Sequence, residues 1–341
     1  MKTRTSTRAI ALATFMGVSL LFAGPLDKAW MKGTTDKDPL SYKPGEEMVF
    51  TVAPQNIRGD IPEGTYFLKW ERTGDDGVSE KGSEPLTGKP FVYKTRIAKP
   101  GFVRLFAEVV DASGQPFRRR IEKPAVDPNT PEGRRALKRL RKIKKNVFFD
   151  GGAAAGVDTL RQAAPEPADF DAFWARQKAE LAKVPFNAKR VEVPCGNPDV
   201  RLYALSVDCT GGMPVTGYLS IWGAGCGEGV TRVTSSVTGF CDMGAELAGR
   251  LRGPWPRIKF VEALGYFDCV NFAKRIPSTC RVDIARAGLG DYTCQPSGLA
   301  ILWNALKCPK TIVWVQGSEH GYVPPEYEGR DTVRREGVEK E

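Results

Sequence analysis

Arg281–Gly290 reads RVDIARAGLG and runs directly into Asp291, and Thr311–Gln316 reads TIVWVQ and runs into GSEHGYVPP, which contains His320. Each segment has the character of a strand, and the stretch between them has helical character, so the pair reads as a strand–helix–strand unit of a parallel sheet. In an open α/β sheet, ligands and reacting groups collect at the carboxyl ends of strands. An acid after one strand and a histidine after the next, 29 residues on, is the chain order of the acid and base in a nucleophile–acid–histidine triad. The chemistry needs both: an imidazole takes the nucleophile's proton and returns it to the leaving alkoxide, while a carboxylate fixes its tautomer and stabilises the imidazolium.

Upstream, EPADFDAFWARQKAELAKV predicts a helix with Phe170, Phe173 and Trp174 close together on one side. RVEVPC, VRLYALSVD, PVTGYLSIW and RVTSSVTGF follow as strands, and residues 165–326 are expected to form one α/β domain around a buried parallel sheet. From Leu26 to Lys123 the pattern differs. EEMVFTV, TYFLKWER, PFVYKTRI and FVRLFAEVVDA alternate apolar with polar residues between KPGE, GDDG, LTGKP and KPG turns, which predicts an immunoglobulin-like β-sandwich. Tyr66, Trp70, Phe91, Phe102 and Phe106 lie inside these alternating runs and are expected in the core rather than on a sugar-stacking surface.

The formal charge of +10 is local. Eight of the positives, and no acid, lie in Arg134–Lys145 (RRALKRLRKIKK), within an expected basic linker over 124–164; Lys2, Arg4 and Arg8 supply three more. With those set aside, the 50 basic residues come close to balancing the 40 acidic ones, which argues against nucleic acid as a partner. Leu137, Leu140 and Ile143 give the basic run one narrow apolar stripe, as in a solvated connecting helix; adhesion to an anionic polymer is the competing reading.

The chain opens with a cationic stretch, about fifteen apolar or small residues, then Gly24 and Pro25, so residues 1–24 are expected to be a cleavable signal peptide and the protein periplasmic or secreted. The apolar run is too short for a stable membrane anchor. Residues 327–341 are expected as a charged tail. Eight cysteines occur without a C-x-x-C pair and His320 is the one histidine, which excludes a zinc site needing two or three imidazoles; no metal or other cofactor is expected.

EPADFDAFW, FDCVNFAKRI, GLGDYTCQPSG and GSEHGYVPPE, in that order, resemble the acetyl xylan esterase and cephalosporin C deacetylase family, α/β-hydrolases of carbohydrate esterase family seven. Its longer-chain branch carries a β-sandwich ahead of the hydrolase domain. The resemblance implies removal of acetyl groups from sugars or xylan without a cofactor, assembly into homo-oligomers, and Asp291 and His320 as triad acid and base. It also marks a departure. The family's nucleophile lies in a G-x-S-x-G elbow behind a His-Gly-Tyr loop, and neither is present. None of Ser206, Ser220, Ser235, Ser236, Ser278, Ser297 and Ser318 has glycine at both the minus-two and plus-two positions. GYLSIW resembles the strand before the missing part and VTRVTSSVTGFCDMG the strand after it, with GAGCGEG between. Cys226 is the weak substitute: Ala224 and Glu228 stand where the elbow needs glycine. The expectation is an esterase-family chain shortened internally, with low activity or none; the alternative is an inactive esterase-fold remnant or a carbohydrate-binding protein.

Overall fold

The structure is a computed structural model that describes residues 24–121, 125–195, 200–222, 262–320, 322, 324 and 332–337. Cys226, Ser235, Ser236 and nearly all of the expected signal peptide lie outside these residues, as does most of the charged tail.

Six strands come first: β1 (Trp30–Thr35), β2 (Met48–Gln55), β3 (Tyr66–Gly74), β4 (Ser79–Pro85), β5 (Phe91–Thr95) and β6 (Gly101–Asp111). Period-two alternation decides their faces: Met48, Phe50 and Val52 are buried while their neighbours in β2 are partly exposed. Helix α1 (Pro131–Lys142) follows, capped by the Thr130 side chain, which accepts from the Gly133 N–H at 3.0 Å. Strand β7 (Phe148–Ala155) then pairs antiparallel with β6. These seven strands make two antiparallel sheets, β1-β2-β5 and β4-β3-β6-β7, whose apolar residues share one core. Tyr66, Trp70 and Phe91 pack against that core and Phe102 is buried.

Strand β7 corrects the expected linker. Phe-Phe-Asp-Gly-Gly-Ala-Ala-Ala shows no alternation because all but its first residue is buried, and small side chains leave no hydrophobic signal to read.

Helix α2 (Phe170–Ala182) and strands β8 (Ala188–Val193), β9 (Val200–Val207) and β10 (Val215–Trp222) follow. A buried parallel arrangement was expected for these strands; they pair antiparallel in the order β10-β9-β8 and leave Val191, Val215 and Tyr218 well exposed. The connections decide this, since the segments between the strands are far shorter than the dozen or so residues a parallel crossover needs. Parallel character does appear next. After the short helix α3 (Cys269–Ala273), β11 (Val282–Gly288) pairs parallel with β12 (Lys310–Val315) through the crossover helix α4 (Pro296–Ala305), and β13 (Thr332–Gly337) adds antiparallel to β12.

The β11-α4-β12 unit is seated on the N-terminal sheets. Its core takes Phe102 from β6 and Ala154 from β7 beside Leu289, Leu299, Ile312 and Trp314. The Gln316 amide repeats a ladder: its Nε2 donates to the Gly152 carbonyl and its Oε1 accepts from the Gly152 N–H, both at 2.9 Å. Among the described residues no helix is long and apolar enough to cross a membrane.

Candidate active site

Strand β11 ends at Gly288, and the next residues stay alongside the end of β12: the Leu289 N–H donates to the Val315 carbonyl at 3.0 Å and the Gly290 N–H to the Ser318 carbonyl at 2.9 Å. A Cβ on Gly290 would lie 2.4 Å from the Asp150 carbonyl oxygen, so glycine is required where this loop crosses β7. Asp291 follows, 8% exposed. Its Oδ1 accepts from the N–H groups of Thr293 and Cys294, each at 2.8 Å, on the approach to α4. Its Oδ2 is left to face His320, whose Nδ1 lies 3.1 Å away.

Strand β12 delivers the histidine. Gly317 takes a left-handed φ of +70° that turns the chain out of the strand. Ser318 is fully buried, with its hydroxyl donating to the Tyr322 carbonyl at 3.0 Å. Glu319 and Tyr322 exchange backbone hydrogen bonds of 3.1 and 3.2 Å, so His320 stands at the tip of a closed turn with 39% of its side chain exposed. With Nδ1–H donating to an ionised Asp291, Nε2 keeps its lone pair and is the free base.

Charged pairs brace both loops. Arg104 of β6 binds Asp150 of β7 through two hydrogen bonds of 2.7 and 2.5 Å and lies over the Tyr292 ring. Burial pushes the Asp150 carboxyl up to about 6 against the pull of Arg104, and the Asp291 charge adds to the rise. Lys144, from the basic stretch, pairs with Glu319 and lies over the Tyr322 ring, so one cation of that stretch serves the histidine loop. Beside Asp291 a small crevice opens between Asp75, Phe102 and Arg104 on one side and Leu289, Tyr292 and Gln295 on the other.

Sequence reasoning named Asp291 and His320, and the structure brings them together. Cys226 lies outside the described residues. Ser318 is committed to Tyr322 and offers no free hydroxyl to the imidazole, while Ser297 is buried at the start of α4. Cys294 escaped the sequence reading: its sulfur, an Asp291 carboxylate oxygen and a His320 ring nitrogen all lie within 4.8 Å of one another. The Asp-x-x-Cys spacing at a helix entry was the available signal, because such a turn folds the third residue back over the acid. That cluster also revises the grounds for expecting no metal site, which rested on a single histidine and on cysteines without C-x-x-C spacing.

Two further motifs clasp each other. Arg275 donates to Asp171 and Glu166, each at 2.6 Å, and lies over the Phe170 ring, while the Trp174 indole N–H donates to the Tyr266 carbonyl at 3.0 Å. EPADFDAFW and FDCVNFAKRI thus act as one unit although about a hundred residues separate them.

Comparison with known proteins agrees with the motif reading. The acetyl xylan esterase (AXE1) family model matches residues 155–223 and 257–333, which takes in β11, β12, Asp291 and His320. It passes over 224–256, so the likeness read in 230–244 is not carried by the match. The acetyl esterase Axe7A of Xylanibacter ruminicola is 34% identical over 112 residues, covering 30% of this chain and 25% of that relative. The chain thus spans a quarter of the length of the curated relative it matches. Among solved structures, an acetyl xylan esterase from Paenibacillus sp. R4 overlays with a TM-score of 0.39 at 14% identity, over 51% of this chain and 96% of that one. The sporulation control protein Spo0M of Bacillus subtilis overlays with a TM-score of 0.16 at 14% identity, over 56% of this chain and 90% of that one. Both overlays are too loose to define a shared fold.

Proposed function

Because the second half of the chain resembles the acetyl xylan esterases both by family model and by curated relative, we propose that the protein is a carboxylic ester hydrolase that removes acetyl groups from acetylated sugars or xylan. The observation that carries the reading is the 3.1 Å contact between His320 Nδ1 and Asp291 Oδ2 at the carboxyl ends of two parallel strands, inside the matched region. In this reading His320 Nε2 takes the proton of the attacking nucleophile and returns it to the departing sugar oxygen. Asp291, anchored by two backbone N–H groups, orients the ring and stabilises the imidazolium. No cofactor takes part in this scheme. The nucleophile is not assigned among the described residues, and Cys226 stays the candidate from the sequence. We read the two N-terminal sheets as the immunoglobulin-like sandwich of the longer-chain branch and the protein as exported, consistent with an acetylated polysaccharide substrate.

Acetate release from acetylated xylan tests the proposal. Asp291→Asn should lower turnover by about four orders of magnitude, as loss of the orienting carboxylate does in other triads. Turnover unchanged by Asp291→Asn would remove the pair from the mechanism.

A further inference from the structure

Cys294 has no part in the proton relay, yet it sits inside it. Three side chains of different chemistry converge there: a carboxylate oxygen of Asp291, the sulfur of Cys294 and a ring nitrogen of His320, mutually within 4.8 Å. We propose that these three residues form a binding site for a soft divalent transition-metal ion of the zinc class. The inference does not rest on the esterase reading, because metal binding needs the cluster and not the chemistry.

The geometry is close to what such an ion requires. Metal–ligand bonds of roughly 2.0–2.3 Å in a tetrahedron set ligand atoms about 3.3–3.8 Å apart, so the cluster closes onto an ion by about an ångström. The imidazole is the element free to make that move, standing half-exposed at the tip of its turn, while the other two ligands are already tied together: the Cys294 N–H donates to Asp291 Oδ1 at 2.8 Å. Three protein ligands leave the fourth position to water, the arrangement of an open zinc site. A thiolate beside an imidazole selects against calcium and magnesium, which take oxygen ligands, and favours zinc, cobalt or copper. Arg104 and Lys144, cations near the site, are each paired with a carboxylate, Asp150 and Glu319, so neither stands unpaired against an incoming ion. As the sulfur–metal bond forms, the thiol proton passes to solvent. The ion also takes the imidazole and the Asp291 carboxylate out of the proton relay, so the metal-loaded form should be inactive and the chelator-treated form the working one.

The test is titration of the chelator-treated full chain with cobalt(II) alone and then zinc. We expect one equivalent of cobalt, a thiolate-to-cobalt charge-transfer absorption, and its loss as zinc displaces cobalt. Cys294→Ser should abolish that absorption and weaken zinc binding by more than about a hundredfold, since loss of a mere supporting partner already costs about 10–100-fold. His320→Asn, a change at an exposed tip that leaves the fold intact, should weaken it similarly, while Cys280→Ser, at an exposed cysteine, should change neither reading. Absence of stoichiometric binding, or a charge-transfer band that survives Cys294→Ser, overturns the proposal. Ester hydrolysis by the metal-free chain is scored separately, so failure of the metal site and failure of the esterase reading give different results.

Discussion

Asp291 uses both of its carboxylate oxygens: Oδ1 is held by two backbone N–H groups and Oδ2 faces the imidazole. Both partners of that contact were legible in the sequence, because glycine and a short polar loop after an apolar strand mark a strand's carboxyl end. What surrounds them was not. Asp150 and Arg104 look like ordinary solvated charges until β7 is known to be a buried strand, and Cys294 shows itself only once the Asp291 turn is folded. Asp150 carries a testable consequence. Burial raises its carboxyl from the ordinary 3.8 to about 6, so between those values the folded protein holds a proton that the unfolded chain has lost. Its contribution to stability therefore grows as pH falls through about 6. Against Asp150→Asn, which does not titrate, denaturant midpoints should shift in favour of the wild type by roughly 1–3 kcal/mol between about pH 7 and pH 4.5. A difference independent of pH would show that burial does not raise this group.

Among the elements, β1, β4, β7 and β13 were concealed in the sequence, and β7 is the one on which the site rests. Its glycines and alanines give no periodic signal, yet they let the Leu289–Gly290 turn lie directly on the strand. The alternating strands β2, β3, β5 and β6 were legible for the opposite reason: one face is core and the other is not. For β8 to β10 the strands were recognised and their pairing was not, since apolar content suggested burial where short connections impose antiparallel hairpins. Gln316 joins β12 to β7 with two hydrogen bonds and is 4% exposed. Gln316→Ala should cost roughly 2–4 kcal/mol in equilibrium unfolding, because each buried backbone group left without a partner costs about 1–3 kcal/mol. Hydrolysis should fall with it as the histidine loop loses its seat. A loss under about half a kcal/mol would mean that the two units are not coupled through this side chain.

At the scale of the whole molecule, the two halves share a core. Leu40, Phe102 and Ala154 pack with Leu289, Ile301 and Trp314 in a single cluster, and the crevice beside Asp291 has walls from both halves. The family match begins at residue 155, the last of β7, so the matched region lacks nearly all of the strand that floors its own site. A fragment starting at residue 156 should accordingly show no cooperative thermal transition by circular dichroism, while the full chain does; a sharp transition in the fragment would make the N-terminal sheets an appendage. The central claim is that this chain hydrolyses acetyl esters through the Asp291–His320 pair. Hydrolysis of a small chromogenic acetate by the chelator-treated full chain, with His320→Ala measured alongside, tests it most directly. The account predicts turnover by the wild type that His320→Ala abolishes. Equal turnover by both proteins, or none from a cooperatively folded wild type, would contradict it.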